Sequence, residues 1–512
     1  KDNYSPGGEA GRRPERATIV YANRMREAYK DVPIVIGGIE ASLRRFAHYD
    51  YWSNKVRHSI LLDSKADILS YGMGEHSVVE IADALAEGKT VAEMYNIRGI
   101  CYVTSHAPIS AHTVMCPSYE EVKASKKAFA KAFKIQYEEQ DPFYGRTIIQ
   151  PSENRFLVQT PPALPLTTKE MDAIYELPFQ RRWHPDYDAA GGVPALQEVQ
   201  FSLTSQRGCF GHCHFCAITS HQGPIIQSRS HESLLREAKH MTHLPGFKGY
   251  IHDVGGPTAN FRHPACQKQL KAGVCKNKHC IGSEICPNLD TSHEDYRKLL
   301  KEIRSIPGVK KVFVRSGLRY DYVLADHNKK FVEELCQYHV SGQLKVAPEH
   351  VVKHVTDLMG KADVHAFLKF KDWFDEANRK LGKKQYLVPY FMSSHPGCTL
   401  DDAIALAEFL RDMHMQPEQV QDFIPTPGSL STAMYYTGMN PLTGEPVYVA
   451  RRPEEKQMQR ALMQYKNPAN YDIVYKALCL AGRRDLLGFG PKCLIAPRNI
   501  RKERGRPHAA SR

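Results

Sequence analysis

The chain has 512 residues, 42% of them hydrophobic and 24% charged, the balance of an ordinary globular protein with room for about three domains. No apolar run is long enough to span a bilayer and no signal peptide is evident, so no membrane association and a cytoplasmic location are expected. Thirteen cysteines in so long a chain exclude a small disulfide scaffold, and a net charge of +13 with a pI near 9.0 permits a nucleic-acid partner without requiring one.

In chain order, a helical pattern over 17–30 leads to the apolar run Pro33, Ile34, Val35, Ile36, closed by Gly37 and Gly38. A second strand is predicted over 66–71, ending in Gly72, Met73, Gly74 and Glu75, and a helix carries Ile81, Ala82, Ala84 and Leu85 on one face. Helices alternating with glycine-closed strands predict a parallel α/β sheet. The stretch 1–101 resembles the later half of a cobalamin-binding-like Rossmann domain. The cobalt-ligating histidine motif of such domains is not in this chain, and cobalamin is not expected. The first residue is Lys1, so the N-terminal part of that domain is expected to be missing.

Residues 102–196 read as a linker or bridging region, with a lysine-rich helix over 120–137 and a capped helix starting near Thr167 or Thr168. From 197 to 440 the pattern changes to about six β/α repeats, with strands predicted over 199–204, 247–254, 311–314, 343–346, 385–391 and 419–424. That count predicts a partial (β/α) barrel, whose chemistry sits at the carboxyl ends of the strands. A helical extension is expected over 441–497 and a basic, disordered tail over 498–512, where Arg498, Arg501, Lys502, Arg504, Arg506 and Arg512 face one acid, Glu503.

The first barrel strand delivers Cys209, Cys213 and Cys216, spaced C-x3-C-x2-C, with Gly208 and Gly211 between them. Two thiolates two residues apart suit zinc. Three on one short loop can take three corners of a cubane iron–sulfur cluster and leave the fourth iron open to chelate a substrate. A zinc site or buried free thiols would use the same residues. Later strand ends carry Gly255 and Gly256, then Arg315, Ser316 and Gly317, then Pro348, Glu349 and His350, and finally Pro425 to Gly428.

Together with Val35-Ile36-Gly37-Gly38-Ile39-Glu40-Ala41-Ser42-Leu43-Arg44-Arg45, His48-Tyr49-Asp50-Tyr51-Trp52-Ser53 and Met359-Gly360-Lys361, these strings resemble the YgiQ-type radical S-adenosylmethionine (SAM) proteins. The resemblance covers all but the last fifteen or so residues. It implies a [4Fe-4S] cluster on Cys209, Cys213 and Cys216, with SAM chelated at the open iron. It places Phe215 near the adenine and Gly255 and Gly256 at the methionine amine. Ser316 is a candidate for the ribose or carboxylate and Glu349 for the ribose or the substrate; Glu349 with His350 reads equally well as the start of a helix. Pro257 stands where the general pattern often has an acid, and no role transfers to it. The implied reaction is reductive cleavage of SAM to a 5′-deoxyadenosyl radical, fed by an external electron donor such as flavodoxin or ferredoxin; the catalytic residues and the substrate stay unnamed. An RNA-modifying enzyme of this class and a non-catalytic zinc-binding, nucleic-acid-binding protein remain alternatives.

A second cysteine group, Cys266, Cys275, Cys280 and Cys286, lies in an insertion over 261–293 with spacing C-x8-C-x4-C-x5-C. It suits a second metal centre, iron–sulfur or zinc, with His263, His279 and His293 as alternative ligands; the other reading is free thiols.

Overall fold

The computed structural model describes residues 1–498; apart from Arg498, the basic tail lies outside the described residues. No helix among them is long and apolar enough to cross a membrane.

The first layer is a six-stranded sheet built from β1 (Val35–Ile36), β2 (Ile68–Ser70), β3 (Ile100–Thr104), β4 (Thr113–Met115), β5 (Thr147–Ser152) and β6 (Arg155–Gln159). Their order is β1-β2-β3-β6-β5-β4. Only β1 with β2 and β4 with β5 run parallel; the other three pairings are antiparallel. The two strands expected to be parallel, β1 and β2, are so, and the rest of the chain makes the sheet a mixed one. One cause is local: two residues join β5 to β6, with Glu153 in the left-handed region at φ +54°, and a hairpin that tight can only be antiparallel. The sheet continues well past residue 101, and the stretch read as a bridge supplies β4, β5 and β6. Ile68, Leu69, Ile100, Cys101, Ile148 and Val158 form its dry interior.

The lysine-rich helix expected over 120–137 is two helices, Tyr119–Ala124 and Lys126–Glu138. Ser125 is extended between them, and its hydroxyl accepts the Ala128 N–H at 3.3 Å. A serine cap competes with helix continuation because it satisfies a backbone donor that the new helix would otherwise leave open.

The second body is the partial barrel. Its strands are β7 (Ser202–Thr204), β8 (Tyr250–Ile251), β9 (Asp253–Gly255), β10 (Lys311–Val312), β11 (Gln343–Glu349), β12 (Tyr386–Ser393) and β13 (Gln421–Asp422). Every pairing among them is parallel: β9 with β7, β8 with β10, β11 with β12 and β12 with β13. Strands β8 and β9 are one run interrupted at His252, and the break lets the two halves pair with opposite neighbours. Strand β7 is shorter than expected because Leu196–Val199 is helical, and β10 and β13 are two residues each. Leu203, Ile251, Val254, Val312, Leu344 and Val346 share one buried cluster with Phe367, Phe370 and Phe374 of helix Val364–Leu381, which are fully buried. Truncating one such phenylalanine to alanine costs about 3–5 kcal/mol.

The C-terminal extension closes onto the barrel mouth. In helix Pro453–Met463 the fully buried Gln459 accepts the Ser394 N–H at 2.9 Å and donates to the Cys398 carbonyl at 2.9 Å.

Candidate functional site

The cysteine loop leaves the carboxyl end of β7 and turns back through two left-handed residues, Gly208 at φ +85° and His212 at φ +46°. A Cβ at Gly208 would collide with the Ile225 carbonyl oxygen, which backbone cannot yield, so only glycine fits. Phe210 anchors the loop from below. Its ring stacks on Phe261 with centroids 3.8 Å apart and meets Tyr322 edge-on at 5.7 Å.

The three thiols sit among donors. The Gly211 N–H points at Cys209 Sγ at 3.4 Å, the Thr258 hydroxyl is 3.6 Å from the same sulfur, and Arg319 Nη1 is 3.4 Å from Cys213 Sγ. Burial raises the Cys209 thiol and pushes Cys216 up to about 12. Thiols in that condition ionise when a cationic partner compensates the charge.

Arg319 is part of that compensation, and the sequence reading missed it. Its guanidinium is buried and grips Asp321 with two bonds, Nε to Oδ1 at 2.9 Å and Nη2 to Oδ2 at 2.6 Å. The remaining nitrogen reaches the Gly211 carbonyl at 3.3 Å as well as Cys213. Despite the desolvation of both groups, the pairing raises Arg319 and lowers Asp321, so each keeps its charge. Asn260 fixes the Arg319 backbone, accepting its N–H and donating to its carbonyl, each at 3.1 Å. The one signal in the sequence is an arginine soon after the β10 strand end, which alone is weak.

Cys213 and Cys216 open onto a cavity of about 560 Å³. Its far wall is residues from 134 to 146, including Tyr144 and Arg146; its roof is Val274 to His279 of the cysteine-rich insertion; Gly428, Ser429 and Leu430 close another side. Asp141 joins wall and roof: Oδ1 accepts the N–H groups of Phe143 at 2.7 Å and Tyr144 at 3.3 Å, and Oδ2 accepts that of Val274 at 2.7 Å. Imidazoles line the floor. Burial brings His212 down to about 3 and His214 down to about 4, so both are neutral at physiological pH. His214 donates through Nδ1 to the Leu358 carbonyl at 3.0 Å, and the His279 ring lies 4.8 Å from that of His212.

The other sequence-derived candidates fall elsewhere. Phe215 packs edge-on against the buried His395 at 6.1 Å. Gly255 and Gly256 end β9, and neither lines the cavity; a Cβ on Gly255 would stand 2.9 Å from Ser316 Oγ and one on Gly256 2.5 Å from the Gln206 carbonyl. Close packing within the chain therefore accounts for both glycines. The Ser316 hydroxyl donates to Asp253, whose Oδ1 also accepts the N–H groups of Arg315 at 2.7 Å and Ser316 at 3.1 Å. Glu349 is buried in the left-handed region at φ +67°, and burial raises its carboxyl. Outside that set, Cys398 is buried 3.5 Å from His350 Nε2, away from the cavity. Cys275 reaches the cavity roof, while Cys280 and Cys286 pack on the Phe210–Phe261 cluster beside Cys209. Among the described residues no three His, Cys, Asp or Glu side chains close on a point that one metal ion would fill.

Comparison with known proteins adds the following. The family model described as radical SAM N-terminal matches residues 1–202, and a domain of unknown function, DUF3362, matches 418–512. The UPF0313 protein CPE1196 of Clostridium perfringens strain 13 is 57% identical over 500 residues, which are 98% of this chain and 76% of that protein. The UPF0313 protein CLJ_B0249 of Clostridium botulinum strain 657 is 56% identical over 494 residues, 96% of this chain and 77% of that one. Among solved structures, the radical S-adenosylmethionine methyltransferase TsrM from Kitasatospora setae, with cobalamin and a [4Fe-4S] cluster bound, aligns at 12% identity and a TM-score of 0.45 over 96% of this chain and 79% of its own. The cobalamin-dependent enzyme OxsB with aqua-cobalamin bound aligns at 11% identity and 0.44 over 85% and 48%. At that level of likeness no residue and no cofactor carries over, and the expectation against cobalamin draws no support from these neighbours.

Proposed function

The chain belongs to the UPF0313 family, and on that premise we propose that it is a radical SAM enzyme that holds a [4Fe-4S] cluster on Cys209, Cys213 and Cys216 and SAM at the iron these thiolates leave open. One observation carries the reading: three thiols on one strand-end loop, two of them facing a cavity of about 560 Å³. The donor set suits the cluster. Three sulfurs are offered by a loop whose backbone is fixed by Gly208, and an N–H, a hydroxyl and a guanidinium lie beside them.

When bound, the cluster and SAM supply one-electron cleavage of the sulfonium, giving methionine and a 5′-deoxyadenosyl radical. The chain's own residues bind, orient and exclude water. Arg319 holds a positive charge against Cys213, and Asp321 keeps that charge in place. His212 and His214 present uncharged rings to the cavity floor. The wall from 134 to 146 and the roof from 274 to 279 border the space on two sides. Phe215, Gly255, Gly256, Ser316 and Glu349 are proposed toward SAM on the resemblance described above. An external one-electron donor of the flavodoxin or ferredoxin kind is the proposed partner, and the reading needs no cobalamin.

Anaerobic reconstitution with iron and sulfide tests it. The expected result is iron and acid-labile sulfide on the protein and dithionite-dependent release of 5′-deoxyadenosine from SAM; Cys213→Ala should lose that release together with about four irons and four sulfides per chain. Zinc without sulfide on the cysteine loop would sink the reading and favour the non-catalytic, nucleic-acid-binding alternative.

A further inference from the structure

We propose that Cys266, Cys275, Cys280 and Cys286 hold a second [4Fe-4S] cluster, closed by four thiolates and set beside the first. A single turn gathers the four. The Gln269 N–H donates to the Cys266 carbonyl at 3.1 Å, the Lys268 ammonium to Cys275 Sγ at 3.3 Å, and the Gln269 side-chain amide to Cys280 Sγ at 3.5 Å. The Cys286 N–H in turn donates to the Cys280 carbonyl at 3.0 Å. Two residues thus bring three cysteines to one place, and a backbone bond adds the fourth.

The surroundings suit a cluster better than a zinc ion. Thiolates around one zinc lie about 2.3 Å from a shared centre, whereas each thiolate of a cubane binds a different iron. The spacing C-x8-C-x4-C-x5-C has no paired C-x2-C knuckle. Four thiolates also outweigh the charge of a cubane core, and the stretch 268–278 answers with Lys268, Lys271, Lys276 and Lys278 and no acid. Lys268 and Gln269 already aim N–H donors at sulfur, the kind of bond that tunes a cluster's potential.

Position gives the second cluster its use. Cys280 and Cys286 share the Phe210, Phe261 and Tyr322 packing with Cys209. His279, next to Cys280, rests its ring 4.8 Å from that of His212, next to Cys213. Cys275 is exposed on the outside and also borders the cavity. With all four irons ligated by protein, this centre has no open site for a substrate. It takes up one electron from an external donor, which is oxidised by one electron, and returns it to an acceptor beside it.

Metal and sulfide content of the full-length chain after anaerobic reconstitution with ferrous iron and sulfide tests the assignment, and it separates the two clusters. The expected wild-type content is about eight irons and eight sulfides per chain. The variant Cys209→Ala/Cys213→Ala/Cys216→Ala should keep about four of each, with an electron paramagnetic resonance signal after dithionite reduction. Wild type at about four with none left in that variant overturns the second cluster and leaves the first standing. Content that is about four in both overturns the first and leaves the second. One zinc per chain retained by the triple variant overturns the second as well. Adding Cys275→Ser, at an exposed position where folding is not at stake, should change the remaining signal; an unchanged signal overturns Cys275 as a ligand.

Discussion

Arg319 reaches Cys213 Sγ at 3.4 Å with one nitrogen while its other two nitrogens donate to Asp321. The pair is buried, so its two halves depend on each other. Arg319→Met would leave Asp321 charged without its guanidinium, at a cost of about 3–5 kcal/mol. Urea unfolding should show that loss. The double variant Arg319→Met/Asp321→Leu should recover much of it, while the iron held by the cysteine loop stays low because Cys213 has lost its cation. Full iron content in the double variant would show that the guanidinium does not matter to the thiolate.

The same pair sets an acid limit. Arg319 holds Asp321 below the usual carboxylate value. A depressed acid contributes stability above its unfolded value and loses it as pH falls through the folded one. Stability should therefore decline as pH drops below about 4, and Asp321→Asn should flatten that part of the profile while lowering stability at neutral pH.

Glu349 behaves in the opposite sense. Burial raises its carboxyl, so its neutral form suits the fold and ionisation works against it. Its contribution is full below the unfolded value of about 4.3 and is lost as pH rises through the higher folded value. Glu349→Gln keeps the shape without the charge. Thermal melts at pH 7 should show the variant at or above wild-type stability; a large loss would mean that the ionised carboxylate is required.

Gly208 offers a test of the loop itself. At φ +85° and pressed against the Ile225 carbonyl, it leaves no room for a methyl group. Gly208→Ala should cost about 1–3 kcal/mol in strain and lower iron content toward about four per chain while far-UV circular dichroism stays native.

Asp141 carries the contact between cavity wall and roof. Asp141→Ala removes a charged acceptor from three N–H groups, each such bond being worth about 1.5–3 kcal/mol. Limited proteolysis should then cut within 266–286 faster than in the wild type, because Val274 loses its tether.

Much of this was legible in the sequence, for local reasons. The C-x3-C-x2-C spacing, the glycines beside it and the alternation of strands with helices are short-range patterns, and the parallel barrel strands follow them. The mixed first sheet was only partly legible: the β5–β6 hairpin is local, but the direction of β3 depends on β2 and β6, which lie far along the chain. The break at Ser125 was local but weak, a lone serine inside a strong helical pattern. Arg319 was hidden for another reason. Its importance comes from Asp321, Asn260 and Cys213 meeting in space, and Cys213 lies more than a hundred residues away. The cavity combines 134–146, 212–216, 274–279 and 428–430, and no periodicity reports such a meeting. The likeness to UPF0313 proteins names the family and leaves the shape of the cavity to the folded chain.

That shared construction bears on how variants of this protein can diverge. A chamber enclosed by the first sheet's helix on one side and by barrel loops on the other is inherited as a set. An exchange between relatives that crosses over anywhere from 147 to 208 would join a wall from one parent to a floor and roof from the other. Selectivity for whatever enters should therefore track matched halves, and the most telling substitutions between relatives should come in pairs that span the junction.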